Sequence, residues 1–396
     1  MVRLAAETRS YARAVIALEE ADVEASAKTV ERVVLDVGAE LAARRDANPK
    51  SSEALALAVE DVPDLAVAEC DGGRIRCREP GHGPGVHLDG KGWREDKNAC
   101  LIRAQRQTFD SDPQPEPPAS FCDPQHVAKI AETEALSVAS LRGAESVAEE
   151  NNWVQAPSDQ PDWRPKRLVR TVLSSMANSD EFGRQMQREA KRRNFFKAAA
   201  RAFLGDGLPW NWSIWKEHFS TFTPILDFIH PLSYLFTTAK AVHPTSPEDA
   251  WNQYMVWMTG CWRGEVGQVL DEMKVWQTKL GVPPDDAEAN DPRQVLSKSI
   301  GYLENNRNRM DYPSYRKQGL PITTAWMESL VKEINYRVKG TEMYWNNPEG
   351  AEAILQVRAA ALSDDDRLRR HLQNRPGCPL TRRPKQPKFP SEKIKS

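Results

Sequence analysis

Long apolar runs are missing from this chain. The first thirty residues already carry Arg3, Glu7, Arg9, Arg13, Glu19 and Glu20, and no later stretch reaches the length of a membrane span. No membrane partner is expected, and the expected location is cytoplasmic. Cysteine is sparse and unpatterned: Cys70, Cys77, Cys100, Cys122, Cys261 and Cys378 form no C-x-x-C pair and have no histidine at finger spacing, so reduced, mostly buried thiols are expected. An excess of one charge is missing too. With 54 Lys and Arg against 56 Asp and Glu, the net charge of −2 points to no partner, and only the distribution of charge can. Tryptophan is absent before Trp93, although the 396-residue chain holds 12, so the N-terminal part is compositionally distinct. No internal repeat is present.

What is there reads as an alternation of elements. Val30, Val33, Val34, Val37 and Leu41 fall on one helical face, with Ser26 and Thr29 as caps, and residues 1–60 form a helical segment. That segment reads equally as the remnant of a helix-turn-helix DNA reader or as a packing helix pair. Leu65 to Cys70 and Arg74 to Arg78 alternate around Asp71-Gly72-Gly73, which predicts a hairpin turned at the Asp-Gly, and Asn98 to Arg103 reads as a third strand. Residues 81–92, 107–121 and 142–165 read as loops or connectors. A basic helix is predicted from Asp180 to Ala200, with Arg184, Arg188, Lys191, Arg192 and Arg193. Short strands follow at Ala202-Phe203-Leu204 and Phe222 to Phe228, then helices over Pro231 to Val242, over residues 246–282 and over Pro321 to Lys339. After Asp366 no periodicity is seen.

Three acids stand at the ends of these elements: Asp71 after the first strand, Asp206 in Gly205-Asp206-Gly207, and Glu328 opening a late helix. Each has an ordinary explanation alone, since Asp-Gly suits a turn and Glu a helix surface. Their conjunction suits phosphodiester chemistry, in which carboxylates from separate elements hold two divalent ions roughly 3.5–4 Å apart. On the late helix Met327, Leu330, Val331, Ile334 and Val338 make the buried stripe, and Glu328, Lys332, Asn335 and Lys339 line up beside it. Trp210, Trp212 and Trp215 follow the second acid; Trp210 is the candidate for stacking on a base, and packing accounts for the others.

The segments DGGRIRCRE, GDGLPWNW and GLPITTAWMES, with Arg337 to Gly340 reading RVKG, resemble the DDE transposases of bacterial insertion sequences, specifically the ISKra type related to Mutator-like transposases. The resemblance spans residues 60–360. Asp227-Phe-Ile-His230 looks like the Asp-x-x-His motif of Mutator-like and related transposases. Thr323-Thr324-Ala325 departs from the pattern, standing where Ser-Gly is more frequent. The resemblance implies an α/β fold of ribonuclease-H-like type: a mixed sheet with flanking helices over 61–245 and 311–345, an all-helical insertion at 246–310, and a C-terminal segment with a basic tail at 346–396. It implies Asp71, Asp206 and Glu328 as catalytic metal ligands for two Mg²⁺, with Mn²⁺ as a substitute, and Asp227 and His230 as their support. The expected partners are double-stranded DNA, as transposon terminal inverted repeats and target, and a second copy of the chain. The expected DNA contacts are Trp210, Lys332, Asn335, Arg337, Lys339, Arg188 and Arg192. Two other readings share these residues: a nuclease of the same fold without strand transfer, and an inactive or truncated copy that binds DNA or oligomerises.

Overall fold

The computed structural model describes residues 1–47, 62–78, 92–140, 163–340 and 343–375. The loops expected at 81–92 and 142–165 fall almost wholly outside these residues, as does the tail from 376 onward. The five strands are β1 (Leu65–Arg76), β2 (Trp93–Gln105), β3 (Lys166–Ser175), β4 (Ala200–Gly205) and β5 (Thr223–Leu226). They form one mixed sheet in the order β3-β2-β1-β4-β5. β2 is antiparallel to both β1 and β3, whereas β4 and β5 run parallel to β1.

The expected hairpin at Asp71 is corrected. β1 runs straight through Asp71-Gly72-Gly73 and pairs with β2 along its whole length, Asp71 opposite Asn98 and Gly73 opposite Asp96. Neither glycine has a positive φ. Gly73 is required by proximity: a Cβ there would lie 2.7 Å from both carboxylate oxygens of Asp96. The strand β3, in a stretch assigned no element from the sequence, covers the outer edge of β2.

Helices cover both faces. In β1, Ala66, Ala68 and Cys70 point to a cluster with Phe182, Met186, Phe203, Ile214 and Phe219, contributed largely by α5 (Ser179–Arg192) and α6 (Pro209–His218). Leu65 and Val67 point the other way, into the larger core. That face receives α12 (Ala325–Val338) and α13 (Pro348–Leu362), which lie against the antiparallel strands, while α7 (Ile229–Val242) follows β5. The N-terminal helices α1 (Val2–Glu7), α2 (Tyr11–Glu19) and α3 (Ala27–Asp46) pack beside α13, with Val30, Val34 and Val37 buried and Ser26 capping α3 through the Thr29 amide. α4 (Pro124–Ser140) packs on α7.

Between α7 and α12 the chain is helical: α8 (Pro247–Trp262), α9 (Val266–Leu280), α10 (Pro292–Asn306) and the short α11 (Tyr312–Lys317). Several boundaries differ from expectation, and the basic helix expected to reach Ala200 stops at Arg192. The late helix starts at Ala325 because Thr324 is held outside it by Asp227. The stretch after Asp366 forms α14 (Arg367–Asn374), fixed by charge: Arg367 pairs with Glu189 and Asp365.

Candidate active site at the ends of the parallel strands

The parallel register decides which residues meet. Glu69 of β1 stands opposite Leu204 of β4, the last pair of that ladder, and Asp71 and Asp206 each lie two residues beyond it. Gly205 pairs with Leu226 of β5, and the Asp227 amide donates to Gly205 O at 3.0 Å, which sets Asp227 on the far side of Asp206. Asp206 and Asp227 thus directly follow β4 and β5, whereas Asp71 lies within the neighbouring β1.

Each is held differently. Asp71 is half-buried, and its Oδ1 accepts from the Gly72 amide at 2.6 Å. Asp206 Oδ1 accepts from Asn211 Nδ2 at 2.5 Å and from the Leu208 amide at 2.9 Å. Asn211 is fully buried in the first turn of α6, where Cys70 Sγ approaches its Oδ1 at 3.7 Å, so one side chain ties β1 to the second acid. Gly207 adopts a φ of +99°, which lets the chain turn from β4 into α6 beneath Tyr302. Tyr302, from the helical insertion, donates its hydroxyl to Asp206 O at 2.8 Å and stacks on Tyr234.

Asp227 is fully buried and satisfied on both oxygens. Oδ1 accepts from the Thr324 amide at 3.1 Å and the Ile229 amide at 3.4 Å, while Oδ2 accepts from Thr324 Oγ1 at 3.1 Å and lies 2.8 Å from His230 Nδ1. These bonds fix the start of α12, and Glu328, whose amide donates to Thr324 O, follows within the first turn. Met327, Leu330, Ile334 and Val338 anchor the opposite stripe, each buried side chain worth about 1.5–3 kcal/mol.

The electrostatics mark the same place. Burial pushes the Cys70 thiol well up, and Asp206 and Asp71 push it further. Burial likewise raises Glu69 well above the usual carboxylate range, with Asp227 and Glu328 adding to it, and raises the Tyr302 hydroxyl, with Asp206 adding. The ligand atoms of Asp71, Asp206 and Glu328 do not all close to within 4.8 Å; the one triplet of acid and histidine ligands that does so among the described residues is Asp180, Glu217 and His218. A spread above 4.8 Å does not suit one ion. It is compatible with a pair about 3.5–4 Å apart that is approached from both sides. All-carboxylate donors are of the chemistry that hard divalent ions such as Mg²⁺ or Mn²⁺ take.

The expected DNA contacts divide. Lys332 is exposed on α12, and Asn335 and Lys339 are half-buried. Trp210 is half-buried, its ring edge beside Gly72 and Lys97 Nζ 5.5 Å from its centroid. Arg337 is corrected: it is 2% exposed, donates from Nε to Ala5 O and lies over the Tyr11 and Trp345 rings, so it braces the N-terminal helices. Arg188 pairs with Asp46 and Glu181, and Arg192 with Glu189. Both arginines are engaged within the fold.

Glu69, Asn211 and Tyr302 were not singled out from the sequence, and Thr324 only as a departure from the pattern. Only Glu69 left a signal there, two residues before Asp71 in an alternating strand. Comparison with models of known protein families and with curated protein sequences finds no match for this chain.

Proposed function

We propose that the protein is a metal-dependent DNA-cleaving and joining enzyme of the DDE transposase type, built on a ribonuclease-H-like fold. The observation that carries this reading is the sheet order β3-β2-β1-β4-β5, with Asp71 on β1, Asp206 directly after β4, and α12 bringing Glu328 over the same face. Divalent ions bound there would activate the attacking oxygen and stabilise the leaving one.

The chain's own residues do the positioning. Asn211 and the Leu208 amide orient the Asp206 carboxylate, Tyr302 holds its backbone, and Asp227 with Thr324 sets the helix from which Glu328 projects. Arg74 and Arg76 continue β1 beyond Asp71, with Arg94 on β2 and Lys339 at the end of α12. Arg76 lies over the Trp93 ring at 4.6 Å and Lys339 over the same ring at 5.8 Å. Arg76 is buried, so the half-buried Arg74 and the exposed Arg94 are the basic groups of these strands that suit a nucleic-acid backbone.

The test uses duplex DNA carrying the ends of the element that encodes the chain, with Mg²⁺ or Mn²⁺. Asp71→Asn, Asp206→Asn and Glu328→Gln should each lower cleavage by about a thousandfold or more, while DNA binding changes little. Cleavage retained by all three variants would overturn the assignment. Joined products separate a transposase from a nuclease of the same fold.

A further inference from the structure

One carboxylate at this site has no partner. Glu69 is 0% exposed, and neither of its side-chain oxygens has a hydrogen-bond partner. Strand alternation puts it on the same face of β1 as Asp71, two residues before it. The Met327 amide faces it, but that N–H is donated to Thr324 O at 2.8 Å. Thr324 and His230 are committed to Asp227. The charged groups that Glu69 senses most strongly, Asp227 and Glu328, carry its own sign.

An interior carboxylate without a donor is costly to keep, and so needs an explanation. Here the surroundings supply anions where a donor or cation would be expected. A divalent ion is the kind of partner that answers an unpaired anion flanked by anions. Asp227 cannot play the same part, because four hydrogen bonds already occupy its two oxygens.

We propose that Glu69 is a further ligand of the divalent-cation site, supplying a carboxylate oxygen from the strand position behind Asp71. The proposal rests on the metal-dependent reading of the acid cluster. It separates the roles of the buried acids: Glu69 serves the ion, whereas Asp227 serves the protein.

The experiment is a Mn²⁺ titration of the full chain, read by the electron paramagnetic resonance of free Mn²⁺ and by the thermal midpoint, for wild type, Glu69→Gln, Glu69→Asp and Glu328→Gln. Glu69→Gln should bind Mn²⁺ about 10–100-fold more weakly and lose most of the Mn²⁺-dependent rise in midpoint. In chelator its midpoint should be at or above that of wild type, since a neutral isostere removes an unpartnered charge. Glu69→Asp keeps the charge on a shorter stem; should the glutamine variant fail to fold, it carries the test, with weakened binding expected. Wild-type affinity in a folded Glu69 variant would overturn the role of Glu69 and leave the acid-cluster reading standing. A wild-type protein with no saturable Mn²⁺ binding would overturn both.

Discussion

At the scale of single residues, Asp96 shows what the close packing around β1 costs. It is fully buried opposite Gly73, accepts one hydrogen bond from Asn98 Nδ2 at 2.8 Å, and leaves Oδ1 without a partner. Burial raises its pKa from 3.8 to about 6, against the opposing pull of Asn98 and Lys339. Because the folded value lies above the unfolded one, the folded state binds more protons between those two pH values, so stability falls as pH rises through that window. A shift of that size corresponds to roughly 3 kcal/mol, good only to order of magnitude. Asp96→Asn should therefore match wild type below about pH 4 and exceed it by about 1–3 kcal/mol above about pH 6. Urea denaturation across pH 4–8 checks this, and parallel curves for the two proteins would show that Asp96 does not titrate in the window.

At the scale of elements, close backbone approach recurs where α3 crosses α13. A Cβ on Gly38 would lie 2.4 Å from Ala353 O and 2.6 Å from Ala353 Cα, both backbone atoms that cannot swing aside. In an isolated helix Gly→Ala gains up to about 1 kcal/mol, so the sign of the change is diagnostic. Gly38→Ala should destabilise by about 1–3 kcal/mol in equilibrium unfolding, because overpacking outweighs helix propensity. A stabilised variant would mean that the two helices are less tightly apposed. Elements whose own sequence decides their form were legible: the Val30, Val34 and Val37 stripe of α3, the short apolar runs of β4 and β5, and the Trp-rich helices of the insertion. Elements decided by their partners were not. Gly72 and Gly73 read as a turn because the proximity of Asp96 that calls for a glycine at position 73 inside a strand is invisible in sequence. α14 carries only Leu368 and Leu372 as an apolar stripe among charged residues, and Glu189 and Asp365 hold it through Arg367. Of the expected site acids, Asp206 was placed by the strand ending that pattern reveals, whereas the ending expected at Asp71 was wrong; Asn211 and Tyr302 reach Asp206 through turns and insertions that no local pattern encodes.

At the scale of the whole molecule, the distribution of charge is rearranged by folding. The helix α5 looks basic in sequence, yet Arg184 pairs with Asp180 and Glu181, Arg188 with Asp46 and Glu181, and Arg193 with Glu189 and Asp365. Burial opposes ionisation of Glu189, but Arg367, Arg193 and Arg192 hold its carboxyl far below the usual range. Arg188 and Arg192 therefore tie α5 to α3, and Glu189 ties it to α14 through Arg367, so substituting these groups is expected to cost stability as well as charge. Residues 376–396 are different in composition, with Arg382, Arg383, Lys385, Lys388, Lys393 and Lys395 against Glu392. If DNA is the partner, such a segment acts by counterion release, at about 0.9 units of logarithmic salt slope per phosphate neutralised. A truncation after Arg375 keeps Arg367 and the Arg375 pair with Glu40, so it separates charge from stability. The truncated chain should unfold at the same midpoint and bind duplex DNA with a salt slope shallower by about 2–5 units. Equal slopes for the two chains would place the phosphate contacts elsewhere, with the half-buried Arg74 and the exposed Arg94 as the next to substitute.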